Sequence, residues 1–112
     1  MAKQYTWHKV TDLPLANQDI TVLDVGGKKV CCTRYEGNLY AFAYKCPHAS
    51  GIMADGFIDD GGHVVCPLHR YRFNIKNGYN SSGEGFFLKT YPVENREDGV
   101  YIGLEKTGLF GW

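Results

Sequence analysis

Apolar residues along the chain come in short runs, most of them alternating with polar ones, and glycine, asparagine and aspartate punctuate them. "YTWHKV" (Tyr5–Val10) alternates and predicts a first strand. "TDLPLANQ" reads as a loop. "DITVLDV" and "KKVCCTRYE" are β-branched runs around "GGK", the signal of a hairpin. "EGN" turns the chain into "LYAFAY" (Leu39–Tyr44). "IDDGG" precedes "HVVC" (His63–Cys66), again a turn followed by a strand. In "YRFNI" (Tyr71–Ile75), Tyr71, Phe73 and Ile75 fall on one face and read as core. "FFLKTYPVEN" and "GVYIGLE" predict a last hairpin across "REDG". No stretch has strong helical periodicity, and "ASGIMADGFI" holds a short helical turn at most. The expected class is all-β, with sheets packed face to face.

Length and composition narrow this picture. A chain of 112 residues is expected to form a single domain, 1–112, with a modest core that a metal or cross-link would help. Twelve basic residues balance twelve acidic ones, which gives no reason to expect a nucleic-acid partner. The opening "MAKQYTWHKV" has no apolar leader region, and no stretch has the length of a membrane span. A soluble protein of the cytoplasm, without membrane attachment, is the expectation. Four cysteines in such a chain point to metal or free thiols before disulfides.

Two of those cysteines sit in matching stretches, "CPH" at Cys46–His48 and "CPLH" at Cys66–His69. The spacing is Cys-x-His, seventeen residues, then Cys-x2-His. Pro47 and Pro67 follow the cysteines directly, and a residue before proline is biased towards extended conformations. Each cysteine ends a predicted strand, so both pairs fall on loops held by sheet. Singly, each residue has a plainer explanation, a buried thiol or a surface histidine. Four together at this spacing do not. Two cysteines and two histidines suit zinc. One of each on each loop suits two metal atoms better than one.

These stretches, with "FAYKCPH", "GHVVCPLHRYRFNIKNG" and "YPVENREDGVYIGLE", resemble the Rieske-type [2Fe-2S] proteins over nearly the whole chain, and a low-potential ferredoxin of the oxygenase-associated type in particular. The resemblance implies a fold of three antiparallel sheets, with a small cluster-binding subdomain formed by two loops, about 45–52 and 66–72. It implies one [2Fe-2S] cluster per chain, with Cys46 and Cys66 on one iron and His48 and His69 on the other, near solvent. Catalytic residues are expected to be absent. The implied role is one-electron carriage from a flavin-dependent reductase to a terminal oxygenase. A nitrite reductase small subunit and a zinc-stabilised interaction module are the competing readings.

The resemblance also bears on the potential. High-potential members carry a further cysteine in each loop, joined as a disulfide; here those positions are Gly51 and Leu68. Those members also donate to sulfur from a serine and a tyrosine, where this chain has Tyr71 and Phe73. Fewer donors imply a midpoint near the low end of the Rieske range, about −150 mV. Two departures stand out. Arg70 follows the last histidine where the family often has glycine, placing a cation nearby. The covering loop corresponds to "NSSGEGFF" (Asn80–Phe87) and lacks proline, and Phe86 or Phe87 could either cap the site or pack in the core. Cys31 and Cys32 point to opposite faces of their strand and read as structural. His8 and His63 have no ligand partner in sequence, His63 reads as a turn residue, and Lys28 and Lys29 read as a solvated hairpin tip.

Overall fold

The computed structural model describes residues 4–47, 51–68, 70–80 and 87–105. Its strands are β1 (Tyr5–Val10), β2 (Ile20–Val25), β3 (Lys28–Tyr35), β4 (Asn38–Ala43), β5 (Phe57–Ile58), β6 (His63–Val65), β7 (Arg72–Asn74), β8 (Thr90–Tyr91), β9 (Val93–Arg96) and β10 (Gly99–Glu105). They form three antiparallel sheets, ordered β1-β10-β9, β2-β3-β4-β8 and β5-β6-β7. A single 3-10 turn, Met53–Asp55, matches the short helical turn expected there.

The central sheet, β2-β3-β4-β8, is a wall with a core on each side. Along β3 and β4 successive side chains enter different cores. Cys31, Tyr35 and Phe42 join Met53, Val64, Phe73 and Ile75 on the side of β5-β6-β7. Val30, Cys32 and Ala41 join Val10, Tyr91 and Ile102 on the side of β1 and β10. This explains "VCCT" in β3: all four residues are buried, because both faces of the strand are covered. Thr33 is the polar member, and its hydroxyl donates to the Asp19 carbonyl at 2.7 Å. Cys31 and Cys32 are both free thiols. Burial pushes each up to about 12, so both stay protonated and inert.

Two expectations need correction. The run "FFLKTYPVEN" is not one strand. It breaks at Pro92, which has no amide hydrogen to offer a ladder. Thr90–Tyr91 pairs with β4, while Val93–Arg96 crosses to pair with β10. The Pro92 carbonyl still accepts from the Gly103 amide at 3.0 Å, so the crossing is pinned to β10. His63 is the first residue of β6, not part of the turn. Lys28 and Lys29 are exposed next to the Gly26–Gly27 turn, as expected of a solvated hairpin tip, and their ammonium groups lie over the rings of Tyr91 and Tyr44, at 5.9 and 5.2 Å. Strand β5 has too few residues to show a period, and the sequence pattern does not mark it.

If Cys31 and Cys32 only pack, truncating either costs packing and leaves the metal content alone. Cys31→Ala and Cys32→Ala should each lower stability by about 1–2 kcal/mol in urea unfolding. Iron and acid-labile sulfide per chain should equal the wild type.

Candidate metal centre

The two cysteine–histidine stretches are hairpin loops of the same construction. The Cys46 amide donates to the Gly51 carbonyl at 2.8 Å, and the Cys66 amide donates to the Tyr71 carbonyl at 2.8 Å. In each loop a cysteine closes on the residue five positions later, enclosing "PHAS" in one and "PLHR" in the other. Below the first closure the ladder continues through the Lys45–Ile52 bridge and the bond from the Met53 amide to the Tyr44 carbonyl. Below the second it continues through the Val65–Arg72 pair of β6 and β7. The strand from Leu39 ends at Ala43, so Cys46 lies three residues past it, on this bridged extension.

Both cysteines are buried, Cys46 at 5% and Cys66 at 0% exposure, and neither is in a disulfide. They belong to one core cluster with Phe73 and Met53, and the two thiols share a hydrogen bond. Burial pushes the Cys66 thiol up to about 11; the hydrogen bond with Cys46 adds to this, and a bond from the Leu68 amide to the sulfur opposes it. A buried thiol that resists losing its proton, held against a second buried sulfur, makes a site that a cation completes. A metal would replace the proton they share and stabilise both as thiolates. His48 and His69 lie outside the described residues. Among the described residues no third histidine, cysteine or carboxylate joins the pair.

Close approach shapes the walls. A Cβ on Gly51 would lie 3.3 Å from the Cys66 sulfur and 3.1 Å from the Leu68 side chain. Gly51 and Leu68 are therefore neighbours across the two loops. A Cβ on Gly56 would lie 1.9 Å from the Val65 carbonyl oxygen, so β5 can meet β6 only with glycine there. The 3-10 turn between these glycines is anchored by a bond from the Ala54 amide to the Cys31 sulfur.

The turn between β5 and β6 braces the second loop from below. Asp59 Oδ1 accepts from the Gly61 and His63 amides, both at 2.9 Å, and lies 3.2 Å from His63 Nδ1. Its other oxygen is 3.3 Å from Arg72 Nε in β7. The Tyr35 hydroxyl donates to the Asp60 carbonyl, tying this turn to the central sheet. Sequence reasoning saw in "DDGG" only a turn. The carboxylate two residues before a glycine was its available signal.

Arg70 has φ +57°, the left-handed region that favours glycine. That is the backbone reason for the glycine common at this place in the proteins the chain resembles. Phe87 is exposed and its ring packs on Tyr79 at 5.2 Å, so it does not join the core. Phe86 and the rest of 81–86 lie outside the described residues.

A family model for the Rieske [2Fe-2S] domain matches residues 3–92. The chain belongs to the Rieske [2Fe-2S] family. Its cofactor is accordingly a [2Fe-2S] cluster, and the buried cysteine pair fits that group. The chain is similar to the ferredoxin component of an alkene monooxygenase system from Xanthobacter autotrophicus, at 28% identity over 87 residues, covering 78% of this chain and 71% of that one. It is 33% identical over 88 residues to the ferredoxin component of the naphthalene 1,2-dioxygenase/salicylate 5-hydroxylase systems of a Ralstonia species, covering 78% and 84%. Among solved structures it resembles a chain from the complex of reduced oxygenase and oxidized ferredoxin in carbazole 1,9a-dioxygenase. The TM-score is 0.74 at 27% identity, covering 87% of this chain and 92% of that one. The three antiparallel sheets expected of a Rieske fold are those observed.

Two predictions test the supports of this Rieske site. Burial pushes the Asp59 carboxyl up, but bonds from the His63 amide and ring and the Gly61 amide outweigh it and hold the group below its usual range. The stability it contributes is complete above the unfolded value of about 3.9 and is lost as pH falls through the lower folded value. Wild-type stability should therefore fall more steeply on acidification below about pH 4 than that of Asp59→Asn, as read by urea unfolding at each pH. Arg70→Gly should raise stability by about 1 kcal/mol, since relief of the left-handed strain exceeds the entropy glycine adds to the unfolded chain. Arg70→Ala, which keeps the strain, should not.

Proposed function

We propose that this chain is the one-electron carrier of a multicomponent oxygenase system, an electron-transfer component and not a catalyst. In this reading Cys46 and Cys66 hold one iron of the [2Fe-2S] cluster and His48 and His69 hold the other, all within a single domain, 1–112. The observation that carries it is the pair of identically closed hairpin loops that bring two buried thiols into hydrogen-bond contact. The bound cluster would accept and release one electron, at a potential set by its ligands, its hydrogen bonds and its burial.

The chain's own residues set those terms. The Leu68 amide donates to the Cys66 sulfur, which favours the electron-rich state. Phe73 is fully buried in the same cluster and offers sulfur no hydroxyl. Leu68, exposed and in contact with Gly51, occupies with an alkyl group the place where a disulfide would join the loops in high-potential members. The missing hydroxyl and the missing disulfide outweigh that one donor and support a midpoint at the low end of the range.

The electron's source is a flavin-dependent reductase and its destination a terminal oxygenase, the partner class with which the carbazole dioxygenase ferredoxin is seen in complex. No helix among the described residues is long and apolar enough to cross a membrane. That agrees with a cytoplasmic carrier.

Dithionite-reduced protein should give an EPR signal of mixed nitrogen and sulfur ligation, with a midpoint near −150 mV that falls at alkaline pH. Cys46→Ser and Cys66→Ser should abolish the signal. A midpoint well above zero, or one flat with pH, would count against this account. Zinc without acid-labile sulfide would favour the interaction module, and co-purification with a large reductase would favour the nitrite reductase subunit.

A further inference from the structure

The chain's formal charge is zero, but its charges are not evenly spread. A surface cavity of about 460 Å³ is lined by Lys28, Lys29, Lys45 and Lys89 around the rings of Tyr44 and Tyr91. A third of the basic residues thus line one hollow, and no carboxylate is among its described lining.

Two of these lysines are held in place. Lys29 Nζ lies 5.2 Å from the centre of the Tyr44 ring and Lys28 Nζ 5.9 Å from that of Tyr91. Ring contact lowers the entropy lost when a partner is met, and it leaves the ammonium hydrogens free to bond outwards. Two neighbouring carboxylates are otherwise engaged. Asp24 pairs in register with Lys29 on β2, yet its Oδ1 accepts from the Gly27 amide at 2.9 Å. Glu105 takes up Lys89 at 2.9 Å. Among the described residues, Lys28, Lys29 and Lys45 have no carboxylate partner in the hollow.

Position gives the hollow its meaning. Lys45 is the residue before Cys46, so one end of the trough opens onto the first cluster loop. The trough is also open to solvent rather than enclosed, which suits a protein face better than a small ligand. We infer that this lysine–tyrosine trough is a docking surface for the acidic face of a redox partner protein, aligning it beside the cluster loop. The inference rests on the carrier reading above and adds the partner's charge to it. Long-range attraction of this kind acts mainly on the rate of encounter and weakens with salt.

The test uses reduced holoprotein in a stopped-flow at low ionic strength, with ferricyanide as trianionic oxidant and hexaammineruthenium(III) as tricationic oxidant. Lys28→Glu/Lys29→Glu should slow the reaction with ferricyanide roughly tenfold and speed that with the ruthenium complex. A Lys9→Glu/Lys76→Glu control carries the same net charge outside the trough and should change neither rate comparably. A deca-glutamate peptide should inhibit the wild type and the control, but not the trough variant. Equal effects in variant and control would reduce the result to net charge and overturn the inference. So would indifference to deca-glutamate, or binding to phosphatidylserine vesicles in its place. The EPR signal of each variant verifies that the centre is intact. A wild type that shows no cluster signal would defeat the carrier reading instead, and calorimetric titration with deca-glutamate would then still decide whether the trough binds carboxylates.

Discussion

Two backbone hydrogen bonds, Cys46 to Gly51 and Cys66 to Tyr71, are the constraint on which the centre depends. Each uses the cysteine's own amide, so the atom that closes the loop and the sulfur proposed to hold metal belong to one residue. The proline that follows has no amide to compete for the carbonyl and keeps the cysteine extended. A short loop closed in this way has little freedom to lose, and the sulfur's direction follows from the closure. Both loops are closed alike, both thiols are buried, and a hydrogen bond joins them.

The rest of the fold can be read as support for those closures. The central sheet supplies Tyr35, whose hydroxyl holds the Asp60 turn, and Cys31, whose sulfur holds the 3-10 turn. The same sheet buries its other face against β1 and β10. A chain this short has little surface to spare for two separate cores. Sharing one wall between them solves the problem, and it requires small or β-branched residues on both faces of β3. "VCCT" meets that requirement. The adjacent cysteines that invite a metal or disulfide reading are there because a thiol is compact and apolar.

Much of this was legible in the sequence, and the illegible parts share a cause. Strands β1, β2, β3 and β4 follow from alternation and from their turns, because those signals are local. The two cysteine–proline loops follow from spacing and from Cys-Pro, also local. The splitting of "TYPVEN" between two sheets depends on which strands wait on either side of Pro92, and no window of sequence contains that. Strand β5 is invisible for a related reason: Gly56 fits beneath the Val65 carbonyl only once β6 is in place. His63 was misplaced because the Asp59 carboxylate, by accepting its amide, ends the turn one residue earlier than composition suggests. The contact of Gly51 with Leu68 joins positions seventeen apart and could be expected only through resemblance.

Arg70 shows how function and fold divide the site between them. Nearly every other residue around the sulfurs satisfies a local rule: glycine where backbone approaches, proline after each cysteine, leucine where no bridge forms. Arg70 breaks one, since its left-handed backbone is strained for any residue with a Cβ, and it is exposed, so no packing compensates. Asp55, Phe57 and Cys66 line the same hollow of about 250 Å³ as Arg70 does. That hollow reaches from the second loop to β5. A conformation that folding alone would fill with glycine is filled instead by an exposed cation, so the needs of the core do not explain that residue.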